Sequence, residues 1–178
     1  MATKPFIVPL ETIDFDQILA DTQAIRAVNP QRYEMEQLTA IVYEDLEKKI
    51  CVGYKDVGDD EFWIRGHMPG MPLMPGVIMV EAAAQCCGYF AKKHDLLGAD
   101  MIGFGGLEDV RFREPVIPGD RLIIISQLDK VRRGRMIVSR FQGVVRGALA
   151  VEGVIKGIPI PIDALRETLE KRRQDQGP

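Results

Sequence analysis

The stretch Val77-Ile78-Met79-Val80-Glu81-Ala82-Ala83-Ala84-Gln85-Cys86-Cys87-Gly88-Tyr89-Phe90-Ala91-Lys92-Lys93 contains no proline and is apolar on nearly every side. It is long enough for about four to five turns of α-helix at 3.6 residues per turn. Glu81 and Gln85 are its only strongly polar residues before Lys92. A surface helix keeps one polar face for water, so a helix apolar all round must be wrapped by other structure. What can wrap it decides the fold.

On its C-terminal side, the segments Met101 to Arg113, Arg121 to Val131, Arg135 to Val145 and Leu149 to Ile158 are rich in strand-forming residues. Arg133-Gly134 and Arg146-Gly147 fall between them as hairpin turns, where glycine tolerates the positive φ such turns need. On its N-terminal side, Gln37 to Glu47 and Lys49 to Val57 carry β-branched and aromatic residues, and Gly58-Asp59-Asp60 forms a turn before a further strand at Phe62-Trp63-Ile64. Phe15, Ile18, Leu19, Ile25 and Val28 recur at roughly helical spacing, predicting a short helix over Asp14 to Ala27 that Asn29-Pro30 closes. The tail from Asp163 to Gln176 is charged and helix-compatible, with Asp163 as N-cap and Leu165 and Leu169 on one face. The expected class is α+β: a meander of antiparallel strands around one long helix. No repeat or linker divides the chain, so residues 1–178 form one domain, with a core at 14–158 and the tail at 159–178.

Composition narrows the function classes. The chain has 178 residues, 46% hydrophobic and 28% charged, which suits a globular domain. Apolar runs such as Leu122 to Ile125 are far short of the roughly 20 residues a spanning helix needs. Met1-Ala2-Thr3-Lys4-Pro5 leads into no apolar signal segment, so secretion is not expected. Cys51, Cys86 and Cys87 lack metal-ligand spacing and fit buried thiols in a cytoplasmic protein. A net charge of -3 argues against nucleic-acid binding. The cations Arg111, Arg113, Arg121, Lys130, Arg132, Arg133, Arg135 and Arg140 nevertheless fall in one stretch. They form either a basic surface for an acidic partner or the ordinary solvated charge of strands and turns.

Two features carry chemistry. Glu81 sits inside the apolar helix, where an ionised carboxylate without partners is costly, so it requires a raised pKa or a good hydrogen-bond partner. Gln85, four residues on, shares its face and can orient it. Fourteen residues before Glu81, His67 opens the loop His67 to Gly76, which is dense in proline and glycine and cannot be helical. An imidazole is the usual general base near neutral pH. A buried glutamate paired with an arginine, and a loop histidine bonded to backbone, are the competing structural roles. Gly76 lies where loop becomes helix, so its free N–H faces the positive end of the helix dipole and can polarise a carbonyl. His94, among Lys92, Lys93 and Asp95 at the helix end, is expected to be structural and exposed.

The run Gly66-His67-Met68-Pro69-Gly70-Met71-Pro72-Leu73-Met74-Pro75-Gly76-Val77, followed by Glu81-Ala82 and Gln85, closely resembles the signature of the FabZ-type 3-hydroxyacyl-[acyl-carrier-protein] dehydratases. A second segment, Arg111-Phe112-Arg113-Glu114-Pro115-Val116-Ile117-Pro118-Gly119-Asp120, is similar to that family too, and the likeness spans roughly Phe15 to Ile158. The resemblance implies a hot-dog fold, in a homodimer and often a trimer of dimers, with the active site at the dimer interface. It implies that His67 takes the C2 proton, Gly76 N–H holds the thioester carbonyl, and Glu81 of the other subunit protonates the departing 3-hydroxyl, directly or through water. The product is a trans-2-enoyl thioester, an intermediate of fatty-acid biosynthesis, delivered on an acyl carrier protein without metal or redox cofactor. Gln85, Met68, Val77 and Phe104 are the expected substrate contacts. Met68, Met71, Met74 and Phe104 are candidates for an acyl tunnel and equally for ordinary core.

Two stretches depart from the family pattern. Gln31-Arg32-Tyr33-Glu34 and Leu38-Thr39-Ala40-Ile41 stand where a histidine-arginine-tyrosine-proline run and an aspartate-arginine pair are usual, and Met68 replaces a phenylalanine. The alternatives are a hot-dog acyl thioesterase, which generally lacks the histidine loop, and a non-catalytic acyl-binding protein, which would have lost His67 or Glu81.

Overall fold

The computed structural model describes residues 5–175. Its elements are β1 (Ala20–Asp21), α1 (Thr22–Val28), β2 (Ala40–Asp45), β3 (Ile50–Asp56), α2 (Gly76–Lys93), β4 (Ile102–Phe112), β5 (Arg121–Arg132), β6 (Met136–Val145), β7 (Ala148–Pro159) and α3 (Ile162–Asp175). All strands join one antiparallel sheet in the order β1-β2-β3-β5-β6-β7-β4. The hairpins close as the glycines require. Arg146 and Gly147 have φ of 49° and 76° between β6 and β7, and Gly134 has φ of 71° between β5 and β6.

One face of the sheet wraps α2, which packs on β3, β4, β5, β6 and β7. Met79, Val80, Ala82, Ala83, Cys86, Cys87, Tyr89, Phe90 and Ala91 are all buried there, against Cys51, Leu122, Ile124, Phe141 and Ile155. The opposite face is partly covered by the N-terminal segment. Val8 and Ile13 pack on Val42, Val52, Ile125 and Val144, and the amide of Ile7 donates to Gln142 Oε1 at 2.7 Å. This is the helix-in-sheet arrangement that the apolar helix demanded. No helix among the described residues is long and apolar enough to cross a membrane.

Three elements differ from expectation. The first helix is α1, only seven residues long, and not Asp14 to Ala27. Asp21 caps it by accepting from Ala24 N at 2.8 Å, and the preceding Leu19 amide instead donates to Ile41 O at the sheet edge. Ile18 and Leu19 are exposed, so their helical spacing marked no buried face. Phe62-Trp63-Ile64 is a run of turns, with Ile64 N bonded to Glu61 O, because burying Trp63 and pairing Glu61 with Lys55 folds the chain back on itself. In the tail, α3 begins at Ile162, which places Asp163 within the first turn instead of at the cap. Leu165 and Leu169 are about half exposed, at 49% and 48%. Met1–Lys4 and the predicted helix end at Gln176 lie outside the described residues.

Candidate active site

His67 is placed by the connection between β3 and α2. Val57 N donates to Asp120 O and Val57 O accepts from Gly119 N in return, tying the start of the connection to the β4–β5 link. The Lys55–Glu61 ion pair, 2.7 Å long and nearly sealed from water, holds its first turn. Trp63 anchors it in the core, and His67 N donates to Trp63 O at 2.7 Å. Beyond it, Leu73 N returns to His67 O and Met74 N bonds Val116 O. His67 Nδ1 lies 2.8 Å from Leu73 O. A carbonyl only accepts, so Nδ1 carries the proton and the neutral ring presents its lone pair at Nε2. A partly exposed imidazole so oriented is a competent base.

Glu81 lies on the stripe of α2 that the sheet does not fully cover. Glu81, Ala84, Gly88 and Lys92 succeed each other along it and, with Gln85 and Cys87, wall a cavity of about 230 Å³ that Gln31, Phe104, Ile137, Ser139 and Ile155 also line. From Glu81 to Lys92 the stripe runs about 16 Å at 1.5 Å per residue. The carboxylate is thus half-buried on a cavity wall instead of sealed in the core. It has the hydrogen-bond partner its position requires: Gln85 Nε2 donates to Glu81 Oε1 at 2.8 Å. Gln85 is itself locked, since its Oε1 accepts from Gln37 N at 2.9 Å and its Nε2 also donates to Met35 O at 2.6 Å.

Gly76 opens α2. Ile78 and Met79 donate to Pro75 O, while the N–H groups of Gly76 and Val77 have no acceptor among the described residues, as the first turn of a helix dictates. A Cβ there would lie 2.7 Å from the ring of half-exposed Phe112, which an alanine would have to displace. Val77 is 73% exposed and Met68 45% exposed.

Within one chain the structure brings Glu81, Gln85 and Phe104 to the cavity, whereas His67, Met68, Gly76 and Val77 are not among its lining residues. Met74 is fully buried core and Met71 is exposed, and neither lines the cavity. His94 is a correction: it is partly covered, with Nε2 at 3.3 Å from Glu44 and its ring 4.8 Å from that of Phe90. Gln31 is a cavity residue that was noted in the sequence only as a departure from a pattern; nothing in its local composition marks it as facing Glu81.

The thiols are free and buried. Burial pushes Cys51 well up and Cys87 up to about 12, so Cys87, although on the cavity wall, is no nucleophile near neutral pH. Half of the basic stretch is spent in ion pairs: Arg113 with Glu152, Arg121 with Asp56, Arg133 with Asp95 and Arg140 with Asp129. Arg111, Lys130, Arg132 and Arg135 have no carboxylate partner among the described residues.

The FabA-like domain family matches residues 29–154. The 3-hydroxyacyl-[acyl-carrier-protein] dehydratase FabZ of Mannheimia succiniciproducens is 36% identical over 138 residues, 75% of this chain and 89% of that protein. Its counterpart in Desulfotalea psychrophila is 40% identical over 121 residues, 67% of this chain and 80% of that protein. Among solved structures, the dehydratase heterocomplex ApeI:P from Xenorhabdus doucetiae superposes with a TM-score of 0.67 at 15% identity, covering 82% of this chain and 96% of that one. The PaaI protein of E. coli does so with a TM-score of 0.52 at 16% identity, covering 66% and 80%. The structural likenesses carry the fold, a hot-dog sheet around a helix.

Proposed function

This chain belongs to the FabA-like domain family, and on that premise we propose that it dehydrates 3-hydroxyacyl thioesters to trans-2-enoyl thioesters in fatty-acid biosynthesis, on an acyl carrier protein. The observation that carries the proposal is Glu81, a carboxyl held by Gln85 on the wall of a partly apolar cavity, in a chain that also keeps a base-competent His67. A thioesterase needs no such histidine loop, and the curated relatives are dehydratases.

His67 Nε2 removes the C2 proton of the substrate. Charge that develops on the thioester oxygen is met by the Gly76 N–H at the positive end of α2. Protonated Glu81 gives its proton to the 3-hydroxyl, the C3–O bond breaks with its electron pair on oxygen, and the C2–C3 double bond forms as water leaves. Imidazolium and carboxylate then exchange one proton to restore the starting state. Every step is a proton transfer or an elimination that these side chains can perform.

The working unit in this proposal is a homodimer that brings His67 of one protomer to Glu81 of its partner, assembled further into a trimer of dimers. Its support is the edge of the sheet. β4 pairs only with β7, and Phe104, Leu107, Phe112 and Val77 are exposed, so an apolar edge beside the cavity is left for a second copy. Arg132 and Arg135, flanking the β5–β6 turn, are the proposed contact for the acidic carrier. A cytoplasmic location suits three free thiols. The test is incubation of the purified protein with 3-hydroxyacyl carrier and coenzyme A thioesters of several chain lengths, read as enoyl absorbance and loss of one water by mass. Turnover is expected; its absence with every substrate overturns the reading.

A further inference from the structure

Gln31 is a polar cavity residue beside Glu81 to which the proposed chemistry gives no task. Its Nε2 lies 3.5 Å from Glu81 Oε1. Its Oε1 is buried without a hydrogen-bond partner, and among the described residues it is the only such atom on a residue that lines the cavity. The amide can face only one way. Turned over, it would set its oxygen against Glu81 Oε1, which already accepts from Gln85 and so is an acceptor whether or not the acid carries its proton on the other oxygen, whereas the nitrogen donates. The free oxygen therefore stays beside the acid. A buried acceptor without a donor is costly, and where one persists a ligand is a physical reason for it.

The substrate supplies the donor. A hydroxyl has one O–H to give and two lone pairs to receive. Resting on the dehydratase reading above, Glu81 addresses a lone pair of the 3-hydroxyl, which leaves the O–H facing a cavity wall. We propose that Gln31 Oε1 accepts this O–H, aiming the C3–O bond at Glu81 and holding the departing water. In the elimination the Glu81 proton and the original hydroxyl hydrogen both stay on that oxygen. Gln31 neither gains nor loses a proton. Two fixed contacts on one oxygen also define a direction, so Gln31 is a determinant of hydroxyl recognition and of configuration at C3.

The test pairs two ligands, a 3-hydroxyacyl and a saturated acyl pantetheine thioester of equal chain length. Binding is measured to the full chain with His67→Ala, which stops turnover, with and without Gln31→Met; the latter keeps side-chain length and removes the acceptor. Gln31→Leu serves if the Met variant misfolds, and Gln31→His restores an acceptor nitrogen. The expected result is a preference for the hydroxyacyl ligand of about tenfold, the scale of one buried hydrogen bond, that vanishes in Gln31→Met while affinity for the saturated ligand stays within about twofold. Dehydration by Gln31→Met with His67 intact should lose at least about tenfold in kcat/KM, partly recovered in Gln31→His. Equal loss for both ligands, or a preference left intact, overturns the proposal. The two readings separate cleanly. Turnover that ignores Gln31→Met keeps dehydration and discards the acceptor, whereas a Gln31-dependent hydroxyl preference without turnover by the native protein does the reverse.

Discussion

Gln85 grips Glu81 from one turn further along α2, at 2.8 Å, while its own oxygen is claimed by the backbone of Gln37. The acid is thereby tied to the segment between α1 and β2, since the same amide also reaches Met35 O. The position of the carboxyl depends on a fixed main chain and not on rotamer preference alone.

Replacing Gln85 with Leu strands a buried N–H at Gln37 and frees Glu81. Each unsatisfied buried group costs about 1–3 kcal/mol. The melting temperature should fall by several degrees, about 2–4 °C per kcal/mol for a chain of this size, and kcat should drop more than KM rises. A melt within one degree of the native protein would show that Gln85 holds nothing.

His67→Ala and Glu81→Gln should each remove general acid–base assistance worth about 10²–10⁴ in rate with the fold retained. Mixed and re-equilibrated, the two inactive variants should recover about a quarter of native activity, because half the dimers pair unlike chains and each of these regains one intact site. Activity measured on the mixture, against each variant alone, decides it. No recovery despite verified subunit exchange would place both residues in one chain's site.

Gly76→Ala pushes a methyl to 2.7 Å from the Phe112 ring. Overpacking in a core costs about 1–3 kcal/mol. The ring of Phe112 is half exposed and can give way, so the variant should melt lower by no more than the low end of that range, and Gly76→Ala with Phe112→Leu should lose no further stability from the added methyl. If Gly76 served only as a hinge, the single variant would lose neither stability nor rate.

The thiols set a limit on alkaline stability. Cys87, ordinarily titrating at 9.0, is pushed up to about 12 in the fold, chiefly by burial, and burial raises Cys51 likewise. Between those values the unfolded chain has lost protons that the native chain keeps. This contribution is intact below pH 9 and is lost as pH rises toward 12. Urea midpoints should decline across that window, and less steeply for Cys87→Ser after correction for its lower starting stability. Native protein at pH 8 should leave a thiol reagent such as Ellman's unreacted until denaturant is added.

How much of this was legible in sequence depends on how local the cause is. The end of α2 at Lys93 and its start within one residue were readable because apolar composition, the loop prolines and the terminal lysines all act within the segment. His67 and Glu81 stood out for the same reason, as polar residues where polarity needs a cause. The helix drawn over Asp14 to Ala27 was not, because Leu19 bonds Ile41 across the sheet edge. Nor was the turn at Trp63, which is set by a distant core, or the approach of Gln31 to Glu81 across fifty residues. Partial neutralisation of the basic stretch depended on partners such as Asp56 and Asp95, brought near only by the sheet.

The strand order has a consequence for how the molecule is made. β4 precedes β5, β6 and β7 in the chain, yet its only neighbour is β7. During synthesis it must wait, unpaired, until Ala148 to Pro159 have left the ribosome, and such long-range pairing is slow to form. The wall of the cavity that carries Phe104 is therefore among the last parts of the sheet to close. A nascent chain cannot enclose an acyl group early, and the edge on which a second copy would dock is formed only when the sheet behind it is complete.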